Sequence, residues 1–157
     1  QAAIELEAAL YDTSTEQPVI DREADSSAQR YQFHFKDDQQ PMLIDPSTLL
    51  QAVLDDYAGE VPTAVISLRF HQAVVRCIVD ICNIAREISG LGTVALSGGV
   101  FMNRYLLAQV VPLLESEGFT VLQHLKLPVN DGCISYGQAA VAAAQIAQLQ
   151  EEGRSLV

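Results

Sequence analysis

The chain is poor in basic residues, and this scarcity excludes several classes of function. Nine lysines and arginines stand against twenty aspartates and glutamates, which gives a formal net charge of −11. A face that binds nucleic acid needs clustered positive charge, so this class is disfavoured. No apolar run reaches the roughly 18 residues of a membrane span, and no signal-peptide pattern opens the chain. We therefore expect a cytoplasmic protein that contacts neither nucleic acid nor membrane.

Cysteine is also scarce, which argues against a disulfide framework or a zinc site. The three cysteines, Cys77, Cys82 and Cys133, are odd in number and form no Cys-x-x-Cys pair. With 157 residues and a hydrophobic content of 49%, the chain is long enough for one domain with its own core. It begins at Gln1 without an initiator methionine, so we expect it to be part of a longer protein.

Predicted strands alternate with long amphipathic helices, which is typical of an α/β domain. Strands are predicted over residues 31–35, 42–44, 93–96 and 119–122. Helices are predicted over residues 2–10, 46–58, 64–87, 103–117 and 134–149. Asp45 is expected to cap the second helix with Pro46 at its first position, and Pro112 is expected to bend the fourth. Residues 1–150 would form one domain, with 151–157 as a frayed tail.

The stretch Leu96-Ser-Gly-Gly-Val-Phe-Met-Asn103 predicts a strand, a tight turn and the start of a helix. Glycines allow close approach to a ligand, and the first turn of a helix presents unpaired N–H groups that suit a phosphate. The spacing matches neither the dinucleotide fingerprint nor the Walker A loop. An ordinary strand-to-helix turn, with Asn103 as the helix cap, is the alternative.

Asp131 lies in the sequence Asn130-Asp-Gly132, for which two interpretations are open. This composition is common in simple turns. A loop carboxylate is also a hard oxygen ligand that can bind a metal ion.

Four segments together resemble the carboxyl-terminal part of the HypF family of carbamoyltransferases, and the resemblance extends from Gln1 to about Ala144. The two more specific segments are separated by about thirty residues. The four segments are Gln1-Ala-Ala-Ile-Glu-Leu-Glu7, Arg69-Phe70-His71, Leu96-Ser-Gly-Gly-Val-Phe-Met-Asn-Arg104 and Asn130-Asp-Gly-Cys-Ile-Ser-Tyr-Gly-Gln138.

The resemblance implies a fold and a reaction. The fold would be the carboxyl-terminal lobe of an actin-like ATPase or ribonuclease H-like domain, a mixed sheet flanked by helices. The complete protein would take carbamoyl-adenylate, made from carbamoyl phosphate and ATP, and pass its carbamoyl group to a partner protein. The acceptor would be the partner's C-terminal cysteine thiol, in the maturation of nickel–iron hydrogenases. This chain alone is expected to be inactive.

The resemblance also assigns individual residues. Asn103 matches a position that contacts the adenosine of ATP or AMP, beside the turn formed by Gly98 and Gly99. Glu5 matches a carboxylate that holds the ribose hydroxyls. Asp131 matches an aspartate that completes an iron or zinc site with two histidines. In the family these come from a His-x-x-x-His element, a spacing that His34, His71 and His124 do not show, so the histidine partners are absent from this chain.

Two other functions are weighed against this one: a tRNA threonylcarbamoyl-transfer enzyme and a non-catalytic actin-like interaction domain. The acidic charge argues against tRNA contact. We expect weak self-association, because one lobe of a two-lobed fold exposes apolar surface. Glu7 is interpreted as solvated and His71 as a packed residue, while His124 is assigned no role.

Overall fold

A computed structural model of the chain describes residues 2–11, 31–36 and 41–154. Within these ranges the chain is mixed α/β, and its strands form two sheets of two strands each. The bounds are α1 Ala2–Ala8, β1 His34–Lys36, β2 Leu43–Asp45, α2 Ser47–Ala58, α3 Thr63–Ser89, β3 Thr93–Leu96, α4 Arg104–Ser116, β4 Thr120–Gln123 and α5 Ile134–Arg154. Short 3₁₀ helices cover Gly99–Met102 and Asp131–Cys133.

The chain divides into two compact units. The first comprises residues 1–94 and 103–121, and the second comprises residues 95–102 and 122–157. The candidate nucleotide residues are therefore divided between the units: Glu5 and Asn103 belong to the first, whereas Gly98 and Gly99 belong to the second. Asp131 also belongs to the second unit.

A small hairpin leads into α2. Strands β1 and β2 are antiparallel, with His34 opposite Asp45. The carboxylate of Asp45 binds the ammonium of Lys36 at 2.6 Å and accepts a hydrogen bond from the backbone N–H of Ser47 at 2.9 Å. These contacts hold the pKa of Asp45 well below its ordinary value, and the contact with Lys36 has the largest effect. Asp45 thus accepts from the first N–H of α2, although the cap position is Pro46 and not Asp45 as the sequence predicts.

The core of the first unit lies among the segment before β1, helix α2 and helix α3. Its buried members share apolar or aromatic character and come from all three segments: Tyr31, Leu49, Ala52, Ile66 and Ala73. On another part of α3, the guanidinium of Arg86 lies 4.1 Å from the ring centroid of Phe119. Helix α3 ends at Gly90, whose φ of 72° is a left-handed helix-ending conformation.

A buried ion pair joins α2 to α3 within this core. Asp56 is 3% exposed, and its Oδ2 atom lies 2.5 Å from Nη1 of Arg69. The hydroxyl of Tyr31 donates to the same carboxylate oxygen at 2.9 Å. A charge buried to this degree is tolerated because opposite charge and hydrogen bonds compensate it.

Most predicted elements are found, with specific differences. The predicted strand at Tyr31 begins three residues later, at His34, because Tyr31 turns into the core. The cap of α2 is Pro46 in place of Asp45, and the helix begins at Ser47, one residue later than expected. Helix α5 continues to Arg154, past the predicted end at residue 149, while residues 155–157 lie outside the described ranges. Helix α4 contains Pro112, and its predicted bend stays a prediction.

We predict that Asp56→Ala lowers the free energy of unfolding by about 3–5 kcal/mol, because Arg69 is left as a buried charge without this carboxylate. Denaturant unfolding measures the change. Asp55→Ala is the matched control, since Asp55 is exposed and accepts from Gln51 on the same helix face; its cost should stay below about 1 kcal/mol. Equal losses in the two variants would contradict the assignment.

Candidate functional site

Helices α1, α3 and α4 are joined by a chain of hydrogen bonds, which we call the His71 network. The hydroxyl of Ser67 donates to the carbonyl of Leu6 in α1. His71 Nδ1 lies 2.8 Å from the carbonyl oxygen of Ser67, and His71 Nε2 lies 2.9 Å from Nδ2 of Asn103. The side-chain oxygen of Asn103 accepts from the N–H of Leu106 at 2.9 Å. The network ties the start of α4 to the middle of α3.

The partners of His71 define its protonation. A carbonyl can only accept, so Nδ1 carries the proton and donates to Ser67, while Nε2 accepts from the amide of Asn103. His71 is 3% exposed, and burial lowers its pKa below the ordinary histidine value. The hydrogen bond to Ser67 and the charge of Glu7 oppose this shift. Its edge also meets the ring of Tyr105, with centroids 5.6 Å apart. His71 is thus a packed, neutral histidine, as the sequence predicts.

The N-terminus of α4 is already occupied by protein groups, which differs from the expectation of a phosphate there. Asn103 is the helix cap and satisfies the N–H of Leu106. The carboxylate of Glu7 accepts from the N–H of Arg104 at 2.7 Å, so it brings negative charge to the positive end of the helix. The interpretation of Glu7 as solvated is therefore wrong. An anion at this helix end would be repelled by Glu7.

The Gly98–Gly99 turn offers a different set of donors, in the second unit. Gly98 has a φ of 95°, a backbone conformation that residues with a Cβ rarely adopt. Its N–H donates to the carbonyl of Val129 at 2.9 Å, and the N–H of Phe101 donates back to Gly98. The first N–H groups of the 3₁₀ helix, those of Gly99 and Val100, have no acceptor within that helix. A Cβ at Gly99 would meet no described atom within 4 Å.

The Asn130-Asp-Gly132 loop lies against this turn. The bond from Gly98 to Val129 joins the two motifs, and Nδ2 of Asn130 lies 3.4 Å from the sulfur of Met102. The side chain of Asn130 also accepts from the N–H of Gly132 at 3.1 Å, which is an Asx turn. Two motifs about thirty residues apart in sequence are therefore neighbours within one unit.

Asp131 does not form a metal site with its surroundings in the described part of the chain. It is exposed, and no group of three histidine, cysteine, aspartate or glutamate side chains that could hold an ion occurs among those residues. One carboxylate supplies too few ligands for iron or zinc. The residues present do not fit the metal by themselves, and the role of Asp131 as a ligand stays a prediction.

Sequence reasoning assigned no role to His124, yet it lies beside the glycine turn. Its Nε2 atom is 3.1 Å from the hydroxyl oxygen of Ser97, the residue before Gly98. The pair is 27 residues apart in sequence, so periodicity within one element could not reveal it. Glu5, by contrast, is an exposed residue of α1, and its predicted contact with ribose stays a prediction.

Comparisons with known proteins identify the class. A family model described as "Carbamoyltransferase, Kae1-like Domain, second subdomain" matches residues 1–138. The carbamoyltransferase HypF of Synechocystis is 32% identical over 138 residues, which cover 88% of this chain and 16% of that protein. The HypF of Rhodobacter capsulatus is 33% identical over 103 residues, or 66% of this chain and 13% of its own length.

Solved structures give the same result. The crystal structure of full-length HypF in a phosphate- and nucleotide-bound form superimposes with a TM-score of 0.72 at 36% identity, over 90% of this chain and 17% of that one. The HypF of T. kodakarensis, at 20% identity and a TM-score of 0.67, shares the fold over 94% of this chain and 17% of its own. The chain is therefore a carbamoyltransferase-type domain. It belongs to the HypF family and spans about a sixth of the length of these relatives.

None of the helices in the described ranges is long and apolar enough to cross a bilayer.

We predict that Asn103→Ala lowers the free energy of unfolding by about 2–3 kcal/mol, because it removes the cap of α4 and leaves Nε2 of buried His71 without its donor. Asn103→Asp is the informative companion, since it keeps the cap but cannot donate to neutral His71. At pH 7.5, Asn103→Asp should lower the free energy of unfolding by less than Asn103→Ala does. A decrease of less than about 0.5 kcal/mol in Asn103→Ala would contradict the network.

The lowered pKa of His71 predicts that acid destabilises the fold. The unfolded chain takes up a proton near pH 6.5, whereas folded His71 does so only at lower pH. The contribution to the free energy of unfolding is thus complete above pH 6.5 and is lost as the pH falls towards the folded value. Proton NMR of the His71 ring measures its titration. The variant His34→Gln removes the signal of an exposed histidine from the spectrum. A His71 signal that titrates above pH 6.5 would be incompatible with it.

Proposed function

We propose that this chain is the carboxyl-terminal lobe of an actin-like domain that transfers a carbamoyl group in the maturation of nickel–iron hydrogenases. In the complete protein, the donor is carbamoyl-adenylate, made from carbamoyl phosphate and ATP. The acceptor is the C-terminal cysteine thiol of a maturation partner protein. Membership of the HypF family over residues 1–138 supports the reaction class, and a phosphate- and nucleotide-bound relative supports a nucleotide ligand.

The observation that carries this proposal is the hydrogen bond from the N–H of Gly98 to the carbonyl of Val129. It brings the glycine turn and the Asn-Asp-Gly loop to one place, although about thirty residues separate them. In the proposed site, Gly98 and Gly99 approach the nucleotide closely. Glu5 and Asn103 are proposed to contact its ribose and adenosine.

The transfer step is acyl substitution. The sulfur of the acceptor thiolate bonds to the carbamoyl carbon, the bond from that carbon to the phosphate oxygen breaks, and AMP leaves with the electron pair. Negative charge grows on the carbamoyl oxygen during the attack, and backbone N–H donors lower the energy of that state. Donors of this kind begin the 3₁₀ helix at Gly99.

Asp131 is proposed to contribute one oxygen to an iron or zinc ion whose other ligands lie outside this chain. A metal bound there would supply Lewis-acid polarisation of a phosphoryl or carbamoyl oxygen. The charge of −11 disfavours nucleic acid as a partner. Weak self-association and a cytoplasmic location are further parts of the proposal. Large apolar side chains such as Ile88, Tyr57 and Leu125 are 82%, 77% and 89% exposed, which favours association.

We predict that Gly99→Ala weakens AMP and ATP binding by roughly tenfold or more, while thermal unfolding stays unchanged. A methyl group at this position meets open space in the chain, so only a closely bound ligand would be displaced. Isothermal titration of the chain measures the affinity. Gly92→Ala is the matched control, because its Cβ also meets nothing within 4 Å and it lies outside the proposed site. Absence of saturable binding by the unaltered chain, or equal affinity of Gly99→Ala, would overturn the nucleotide assignment.

A further inference from the structure

The carboxamide of Asn103 is held at both of its polar atoms. Its oxygen accepts from the N–H of Leu106 at 2.9 Å, and its Nδ2 atom lies 2.9 Å from Nε2 of His71. Nε2 is an acceptor because the carbonyl of Ser67, 2.8 Å from Nδ1, requires the proton on that other ring nitrogen. A rotated carboxamide would place its NH₂ group against the N–H of Leu106 and its oxygen against Nε2, two repulsive contacts. The orientation of this side chain is therefore fixed.

The two contacts leave hydrogen-bonding capacity on Asn103. Nδ2 carries two hydrogens and the side-chain oxygen has two lone pairs. In the described part of the chain, the contacts with His71 and Leu106 use one hydrogen and one lone pair. One donor and one acceptor of the same carboxamide remain, on a residue that is partly exposed to solvent. His71 is only 3% exposed, so it can act on a ligand only through Asn103.

The charge at this helix end favours an uncharged ligand group. The carboxylate of Glu7 accepts from the N–H of Arg104, the residue after Asn103. A phosphate at this place would meet that negative charge, whereas a purine base would not. Adenine presents an amino donor beside a ring-nitrogen acceptor, an edge that pairs with both polar atoms of an asparagine carboxamide. A 6-oxo purine presents an oxygen in place of the amino group, and the oxygen of Asn103 would repel it.

We propose that His71 is a positioning residue that makes Asn103 selective for a 6-amino purine over a 6-oxo purine, an inference that depends on the proposed nucleotide function. The acceptor at Nε2 holds the NH₂ group of Asn103 in one place, so the remaining donor and acceptor keep one order. Without that acceptor, only the bond to Leu106 orients the carboxamide. Rotated orientations, which suit a 6-oxo purine, then become more populated.

The test compares AMP with inosine monophosphate, because the two share ribose and phosphate and differ in the group at position 6 of the purine. Isothermal titration of the unaltered chain is expected to show AMP bound roughly tenfold more tightly. His71→Phe keeps a ring without an acceptor, and the preference should fall to about threefold or less. His71→Gln supplies an amide oxygen as acceptor and should restore most of the preference.

Ser67→Ala is the matched control. It removes a buried hydroxyl and its bond to the carbonyl of Leu6, but it leaves the backbone carbonyl that accepts from His71. Its preference for AMP should equal that of the unaltered chain. Thermal unfolding by circular dichroism shows that each variant is folded. Nitrogen NMR of the His71 ring in the unaltered chain needs no variant, and it should find the proton on Nδ1.

The outcomes separate this inference from the proposed function. If the unaltered chain binds both nucleotides equally, or His71→Phe keeps the full preference for AMP, the role of His71 is overturned and nucleotide binding stands. If Ser67→Ala loses the preference as strongly as His71→Phe, the packing of α3 sets it, and the inference fails. A proton on Nε2 of His71 in place of Nδ1 would also overturn it. If the unaltered chain binds neither nucleotide, both the inference and the proposed function fail.

Discussion

The hydrogen bond between Asn103 and His71 is the contact on which the first unit depends. A histidine that is 3% exposed must have both ring nitrogens satisfied, because an unpaired buried polar group is costly. Ser67 supplies the acceptor for one nitrogen and Asn103 supplies the donor for the other. Since Asn103 also caps α4, one side chain contacts both the buried histidine of α3 and the start of α4.

The same network bears on the phosphate site that the sequence predicts at the start of α4. A helix that follows a Gly-Gly turn is usually a good place for an anion, and the sequence alone favours that interpretation. In this chain the first N–H of α4 is bound by Glu7 and the third by Asn103. The positive end of α4 is therefore compensated by side chains of the chain itself. In the turn a few residues earlier, the N–H groups of Gly99 and Val100 have no acceptor within their own 3₁₀ helix.

Local signals predicted much of the fold. The proline before α3, the left-handed Gly90 after it, and the capping side chain of Asn103 each mark an element end by chemistry within a few residues. The long-range contacts could not be predicted in the same way. Glu7 accepts a hydrogen bond from the backbone N–H of Arg104, which is 97 residues away in sequence. The hydroxyl of Tyr31 donates to Asp56, and Tyr31 lies outside the strand that the sequence predicts. Neither contact has a periodic signature. In the part of the chain that the structure describes, the strands form two sheets of two strands each.

The two adjacent positions of the turn carry glycine for different physical reasons, and the difference bears on function. Gly98 is explained by the chain itself, because its φ of 95° is a backbone conformation that residues with a Cβ rarely adopt. Gly99 has neither a left-handed backbone nor a crowded neighbourhood in the described part of the chain. The described part of the chain therefore does not itself require glycine at this position. The proposed function accounts for it, because a nucleotide that approaches the backbone within the space of a methyl group would exclude a Cβ there.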